Sequence, residues 1–260
     1  MKFYDCTTAP SPRRVRIFLA EKGIEIETVQ VDLSTGEHFS EAFKAINPLM
    51  EVPLLELDDG TSINQVGAIC RYLEEVYPDN PLHGRTPVER AMVDASNHQL
   101  QMNGFMAGAE AFRNSSPGFK NRALPGPHNY SQIPELADRG LQRLDNLFAD
   151  LDAHLANSEF FVGDYYSIAD ITALCVIDFA KWAKKRIPED CSNLQRWYDQ
   201  VNSRPSAKAW STWLMPICSP NKREKYLFLV ADIFTLNYKN NLLTEVFGMV
   251  TNALQGADNP

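Results

Sequence analysis

The chain is 260 residues long with 44% hydrophobic and 22% charged residues, the composition of a globular protein with room for two modest domains. A formal net charge of −8 argues against non-specific binding to nucleic acid or to an anionic membrane surface, since either needs a basic face. Five cysteines, odd in number and without a CxxC pair, argue for a reducing compartment and against a disulfide framework or a zinc site. No signal-like apolar run opens the chain and none approaches the ~20 residues that span a bilayer, so the expected location is cytoplasmic.

Residues 1–5 read as a short strand, and residues 11–23 (SPRRVRIFLAEKG) as a helix with Val15, Ile17, Phe18 and Leu19 inward and Gly23 as its C-cap. Residues 24–31 alternate apolar and acidic side chains, as a half-buried strand should. A loop and short helix at 36–46 close at Asn47-Pro48. Residues 51–75, EVPLLELDDGTSINQVGAICRYLEE, then predict a strand at 52–57, a tight turn at Asp58-Asp59-Gly60, a strand edge at 61–63 and a helix from about 64 to 76. The Asp-Gly pair favours a hairpin because glycine takes positive φ without a Cβ penalty. Pro53 opens the strand where a lost donor is tolerated. Asn64 is placed to cap the helix, leaving backbone N–H groups for an anion. The order βαβ, short helix, ββα predicts a four-stranded mixed sheet over residues 1–77.

Residues 78–87 (PDNPLHGRTP) hold three prolines and read as a linker. From 88 to 218 the pattern is helical: one long helix or a kinked pair at 88–112, a polar loop at 113–133, and a long helix at 134–156. The last carries Leu141, Leu144, Leu147, Phe148, Leu151 and Leu155 at helical spacing. Ser167 and Asp170 have the spacing of a capping box that opens an apolar helix to about 185, followed by helices at 192–203 and 206–214. Residues 219–260 form a C-terminal extension whose YLFLVADIFTL and LLTEVFGMVTNAL segments read as helices packed on the body or on a dimer partner. They lack the basic face of a membrane-surface helix.

VPLLELDDG, AICRYLEE and FVGDYYSIADI, met in this order, resemble the cytosolic glutathione transferases. APSPRRVRIFLAEKGIE, followed by GEH and INPL, is most similar to a bacterial and fungal branch that lacks the usual catalytic Tyr, Ser or Cys. The resemblance covers about residues 1–213. It implies an α/β thioredoxin-like N-terminal domain that binds glutathione, followed by an all-α C-terminal domain that supplies a second-substrate pocket. It also implies glutathione as co-substrate without a metal, and a homodimer.

Carried over residue by residue, the resemblance places a glutathione shelf at Ala9, His38, Glu51, Val52, Pro53, Gln65 and Val66. Val52 matches the position whose backbone pairs with the cysteinyl part of glutathione, and the proline after it is cis in the family. His38 matches a position that contacts the glycine carboxylate, a solvated surface histidine being the equal alternative. Gln65-Val66 stands where the family has an acidic or amide residue and then serine. Val66 has no hydroxyl, and a lost hydrogen bond to a charged group costs about 1.5–3 kcal/mol, so glutathione binding is expected to weaken by about one to two powers of ten.

Ala9 falls where related classes place the activating serine or cysteine, and alanine can do neither job. In the resembled branch a water is held by a serine and a histidine one turn apart, at positions near Ala109 and Arg113; neither matches. Arg113 can stabilise a thiolate through charge, and Thr7, Thr8 and Ser11 are alternative hydroxyl donors, Ser11 equally being an ordinary first-turn residue. Cys6 and Cys70 read as buried structural thiols and Tyr4 as a packing residue. His98, His128 and His154 fall on unrelated elements and predict no metal cluster.

The chemistry implied is attack of the glutathione thiolate on a small hydrophobic electrophile. The pocket would be lined by Phe105, Met106, Ala109, Phe112 and Arg113, residues that serve equally well as interhelix core. The alternative, favoured by Val66, Ala109 and Arg113, is a binding protein of the same fold with weakened catalysis.

Overall fold

A computed structural model describes residues 1–209; the end of the helix expected at 206–214 and the whole 219–260 extension lie outside the described residues. The first domain runs β1 (Lys2–Asp5), α1 (Pro10–Lys22), β2 (Glu27–Gln30), a 3-10 turn at Glu37–Phe39, α2 (Glu41–Ile46), β3 (Leu54–Glu56), β4 (Ser62–Asn64) and α3 (Val66–Val76). The strand order is β2-β1-β3-β4. β1 is parallel to β2 and antiparallel to β3, and β3 is antiparallel to β4. This is the expected mixed sheet, with strands shorter than the apolar runs suggested. Phe3, paired with Thr28 and Leu55, buries its ring with Val15, Phe18, Ile69 and Leu73 from α1 and α3. Gly23 caps α1 in the left-handed region at φ 65°, and Ile24 N–H closes the turn on Leu19 O at 2.9 Å. Gly60, at φ 86°, turns the β3–β4 hairpin.

Asn64 does not cap α3. It pairs with Leu54 as the last residue of β4, and the ladder holds it extended. The helix therefore starts one residue later, with Gln65 at the N-cap position and without a side-chain cap.

The helical domain contains α4 (Pro87–Leu100), one turn of π-helix at Gln101–Phe105, α5 (Met106–Ser115), α6 (Pro134–Leu155), α7 (Ile168–Ala180) and α8 (Ser192–Asn202). Thr86, at the end of the expected linker, and Glu89 form a capping box that starts α4. The long helix at 88–112 is thus an α-helix broken by a π turn, and it runs three residues further, so Arg113 is helical and not in the loop. α7 ends at Ala180, short of the expected 185. Lys184 takes φ 60° and Lys185 N–H reaches back to Ala180 O at 3.0 Å, which terminates the helix. The 206–214 segment opens as a 3-10 turn, Pro205–Lys208.

α7 is buried on every face but that of Asp178, so it is the core around which the other helices pack. α5 and α6 approach closely at Gly140, where a Cβ would lie 2.6 Å from both Ala107 O and Ala111 N. Leu141 is only half-buried; Ala137 and Gly140 take the inward face in its place.

Candidate active site

Four pieces of backbone converge at one edge of the sheet domain: the β1–α1 loop, the turn holding His38, the segment before β3, and the β4–α3 junction. Two of them are fixed by buried polar groups. Arg16 is 7% exposed, forms an ion pair with the buried carboxylate of Asp5, and donates to Cys6 O at 3.2 Å and Thr7 O at 3.1 Å. That pair pins the loop carrying Thr7, Thr8 and Ala9. Asn47, 1% exposed, donates from Nδ2 to Glu51 O at 2.7 Å and sets the chain entering Val52. The Val52-Pro53 bond is cis. Neither Arg16 nor Asn47 stands out as functional in the sequence; the Asn47-Pro48 turn is the one legible trace of the second.

Gln65 adopts φ 68°, the left-handed side that a residue with a Cβ rarely takes. The conformation turns its Nε2 to Glu51 Oε2 at 3.4 Å and aims the start of α3 at the same place. Val66 is 6% exposed and packs into the core, so the shelf has backbone but no hydroxyl there. Burial raises the Glu51 carboxyl above its usual range, against the opposing effects of Gln65 and the Arg113 charge. His38 is half-buried with Nδ1 unpartnered, and burial, then the charges of Arg122 and Arg113, push its pKa down. It is neutral at neutral pH.

The 117–133 loop folds back over this edge. The Arg122 guanidinium lies over the Phe39 ring at 4.2 Å and donates to Gly126 O at 2.8 Å. Gly126, at φ 94°, passes so close to Glu51 that a Cβ there would lie 3.4 Å from Oε1. Arg113 holds the loop: Nε donates to Ala123 O at 3.1 Å, Nη2 to Arg122 O at 2.6 Å, and its guanidinium stacks over Phe119 at 4.4 Å. Burial, then the Arg122 charge, lower it to about 10. Arg113 therefore belongs to the Glu51–His38 end of the shelf.

At the other end, Ala9 sits at the N-cap of α1 and has no side chain to cap with. The three nearby hydroxyls differ. Thr7 donates its proton to Gln30 Oε1 at 2.7 Å; Thr8, exposed, is 3.4 Å from Cys6 Sγ; Ser11 accepts from Arg14 Nη2 at 3.1 Å. Cys6 and Cys70 are buried, and burial pushes the Cys70 thiol up, as a structural role requires. Tyr4 donates to Glu56 Oε2 at 2.6 Å and meets Phe43 edge-on, a packing role.

Of the expected pocket residues, Phe105 is core: it is 5% exposed and stacks on Phe179. Phe112, half-buried, meets Phe119, Phe179 and Trp182 edge-on, and Trp182 is 41% exposed. An aromatic wall thus stands on the helical side, built partly from residues that no motif in the sequence marks.

Two family models match the chain, glutathione S-transferase N-terminal domain over residues 8–76 and glutathione S-transferase C-terminal domain over residues 112–205. The chain is 33% identical over 213 residues to Glutathione S-transferase 2 of Saccharomyces cerevisiae, covering 80% of this chain and 88% of that protein. Among solved structures, the Gtt2 structure from Saccharomyces cerevisiae matches with TM-score 0.74 and 33% identity, covering 81% of this chain and all (100%) of the other. A glutathione S-transferase domain-containing protein of Marinobacter aquaeolei matches with TM-score 0.74 and 37% identity over 79% of this chain and 99% of its own. The sheet domain and the helical domain are thus matched by those of known relatives, and the chain belongs to the glutathione S-transferase family.

Proposed function

We propose that this glutathione transferase holds its co-substrate along the shelf described above and directs the thiol to the start of α1. The cysteinyl part pairs with the Val52 backbone. The γ-glutamyl carboxylate meets the start of α3 at Gln65 and Val66, and the glycine carboxylate meets neutral His38 as a hydrogen-bond donor. The observation that carries this reading is Gln65 at φ 68°, which follows the Leu54–Asn64 pairing and sets its Nε2 3.4 Å from Glu51 Oε2 at the start of α3.

The reaction requires the thiolate, since the thiol is a poor nucleophile. A helix N-terminus favours the thiolate by its dipole. The thiol proton leaves to solvent, the sulfur attacks an electrophilic carbon, and the leaving group departs with the bonding pair. The aromatic edge formed by half-buried Phe112 and exposed Trp182 supports a small hydrophobic electrophile. A homodimer is part of the reading: Val88 and Met92, one turn apart on α4, are exposed at 69% and 53%. So is a reducing, cytoplasmic location, which the unpaired state of the four described cysteines supports.

Retention on immobilised glutathione, followed by a conjugation assay with a chloronitroaromatic, tests the reading. Retention with turnover is expected. The absence of both retention and turnover would overturn it.

A further inference from the structure

We infer that Arg14 is a positioning residue that makes Ser11 the hydroxyl donor to the glutathione thiolate; this rests on the placement of glutathione proposed above.

The three arginines at the start of α1 are all buried, but they are not equivalent. Arg13 pairs with Asp178 and Arg16 with Asp5. Arg14, 4% exposed, has no carboxylate partner among the described residues. Its guanidinium lies over the Phe105 ring at 3.9 Å, donates from Nη1 to Gln101 Oε1 at 2.5 Å and from Nη2 to Ser11 Oγ at 3.1 Å, and leaves Nε unpartnered. Both Gln101 and Phe105 belong to the π turn, which opens the long helix where Arg14 enters it. Burial lowers Arg14 to about 10, so it stays charged at neutral pH. The titratable groups that face it are the Cys70 and Cys175 thiols, both pushed up by burial, so neither offers it a negative charge.

A buried cation without a counter-ion is costly, and here it is aimed at one hydroxyl. Ser11 Oγ receives its lone-pair partner from Arg14, which leaves the Ser11 proton to be donated elsewhere. Thr7 has no such freedom, since its proton goes to Gln30. The local sequence adds to the demand. Pro10 and Pro12 bring no N–H, so Ser11 carries the one backbone donor of the first three helical positions. With Ala9 unable to help, an anion at this helix start meets Ser11 N–H, Ser11 O–H and the charge of Arg14 behind it.

The test is the pH midpoint of the thiolate ultraviolet absorbance of glutathione-saturated protein, for the wild type, Arg14→Met, Ser11→Ala and the double variant. Calorimetric binding of glutathione is measured first. Each single variant is expected to raise the midpoint by about one pH unit, a roughly tenfold loss of thiolate below it, and the double variant to raise it no further. Unchanged midpoints in proteins that still bind glutathione would overturn the inference, as would additive shifts, which deny the route through Ser11. Should Arg14→Met not fold, Ser11→Ala, in a half-buried first turn, decides the matter by the same midpoint. Failure of the wild type to bind glutathione is seen before any variant is made, and removes the placement itself.

Discussion

The indole N–H of Trp197 donates to Asp170 Oδ1 at 2.9 Å in a site where both residues are fully buried. The same carboxylate accepts from Phe161 N–H at 3.2 Å and Ser167 N–H at 3.0 Å, so one side chain joins the start of α7, the segment before it and α8.

Asp170→Ala leaves four buried donors, the N–H groups of Trp197, Phe161 and Ser167 and the Ser167 hydroxyl, without this acceptor, each worth about 1–3 kcal/mol. Urea unfolding is expected to show a loss of about 3 kcal/mol or more; a loss below about 1 kcal/mol would refute this role. Burial also raises the Asp170 carboxyl to about 6 against the lowering effect of its hydrogen bonds. A carboxyl whose folded pKa lies above its unfolded value contributes stability that is full below the unfolded value near 4 and is lost as pH rises through about 6. The wild type is therefore expected to gain stability relative to Asp170→Asn as pH falls across that window. A flat difference between the two unfolding curves would contradict it.

Val66→Ser restores a hydroxyl at the start of α3. A hydrogen bond to a charged carboxylate is worth about 1.5–3 kcal/mol, so glutathione is expected to bind about ten- to a hundredfold tighter by calorimetry. Because Val66 is 6% exposed and packed in the core, the variant also loses thermal stability. An unchanged dissociation constant would show that the carboxylate is held elsewhere.

Arg113→Ala removes two hydrogen bonds and a cation–π contact from the 117–133 loop. Together these are worth about 2–3 kcal/mol locally, so proteolysis within the loop is expected to accelerate at least about thirtyfold. A cleavage rate equal to that of the wild type would mean that other contacts hold the loop.

Gly140→Ala places a methyl against Ala107 O and Ala111 N, both backbone atoms that yield only if the helices separate. The helix-propensity gain of about 1 kcal/mol does not offset this, and a net destabilisation of about 1–2 kcal/mol is expected from chemical denaturation. Stabilisation would mean that α5 and α6 separate freely.

Much of the fold was legible in the sequence because its signals are local. Asp59-Gly60 must turn, whatever surrounds it, because of the backbone freedom of glycine. Ser167 and Asp170 cap a helix through groups three residues apart. Most apolar positions on the inward faces of α1 and α6 follow from spacing, as Val15, Ile17, Phe18 and Leu144 show, with Leu141 the exception. Where local rules failed, a distant partner had taken over: Asn64 is a good cap by residue type, yet its pairing with Leu54 keeps it in a strand.

The site divides along the same line. The resemblance to the family, carried by the residues around Val52-Pro53 and Gln65-Val66, marks the proposed shelf, whose backbone segments lie close together in sequence. The charges around it were decided only by tertiary structure. A run such as Arg13-Arg14-Val15-Arg16 reads as a solvated helix start; burial of all three arginines becomes possible because Asp178, Gln101, Phe105 and Asp5 are folded against them. Apart from Asp5, those partners lie far along the chain, so no window of sequence contains them. Folding alone makes Ser11 the hydroxyl backed by a charge and turns Arg113 to hold the loop.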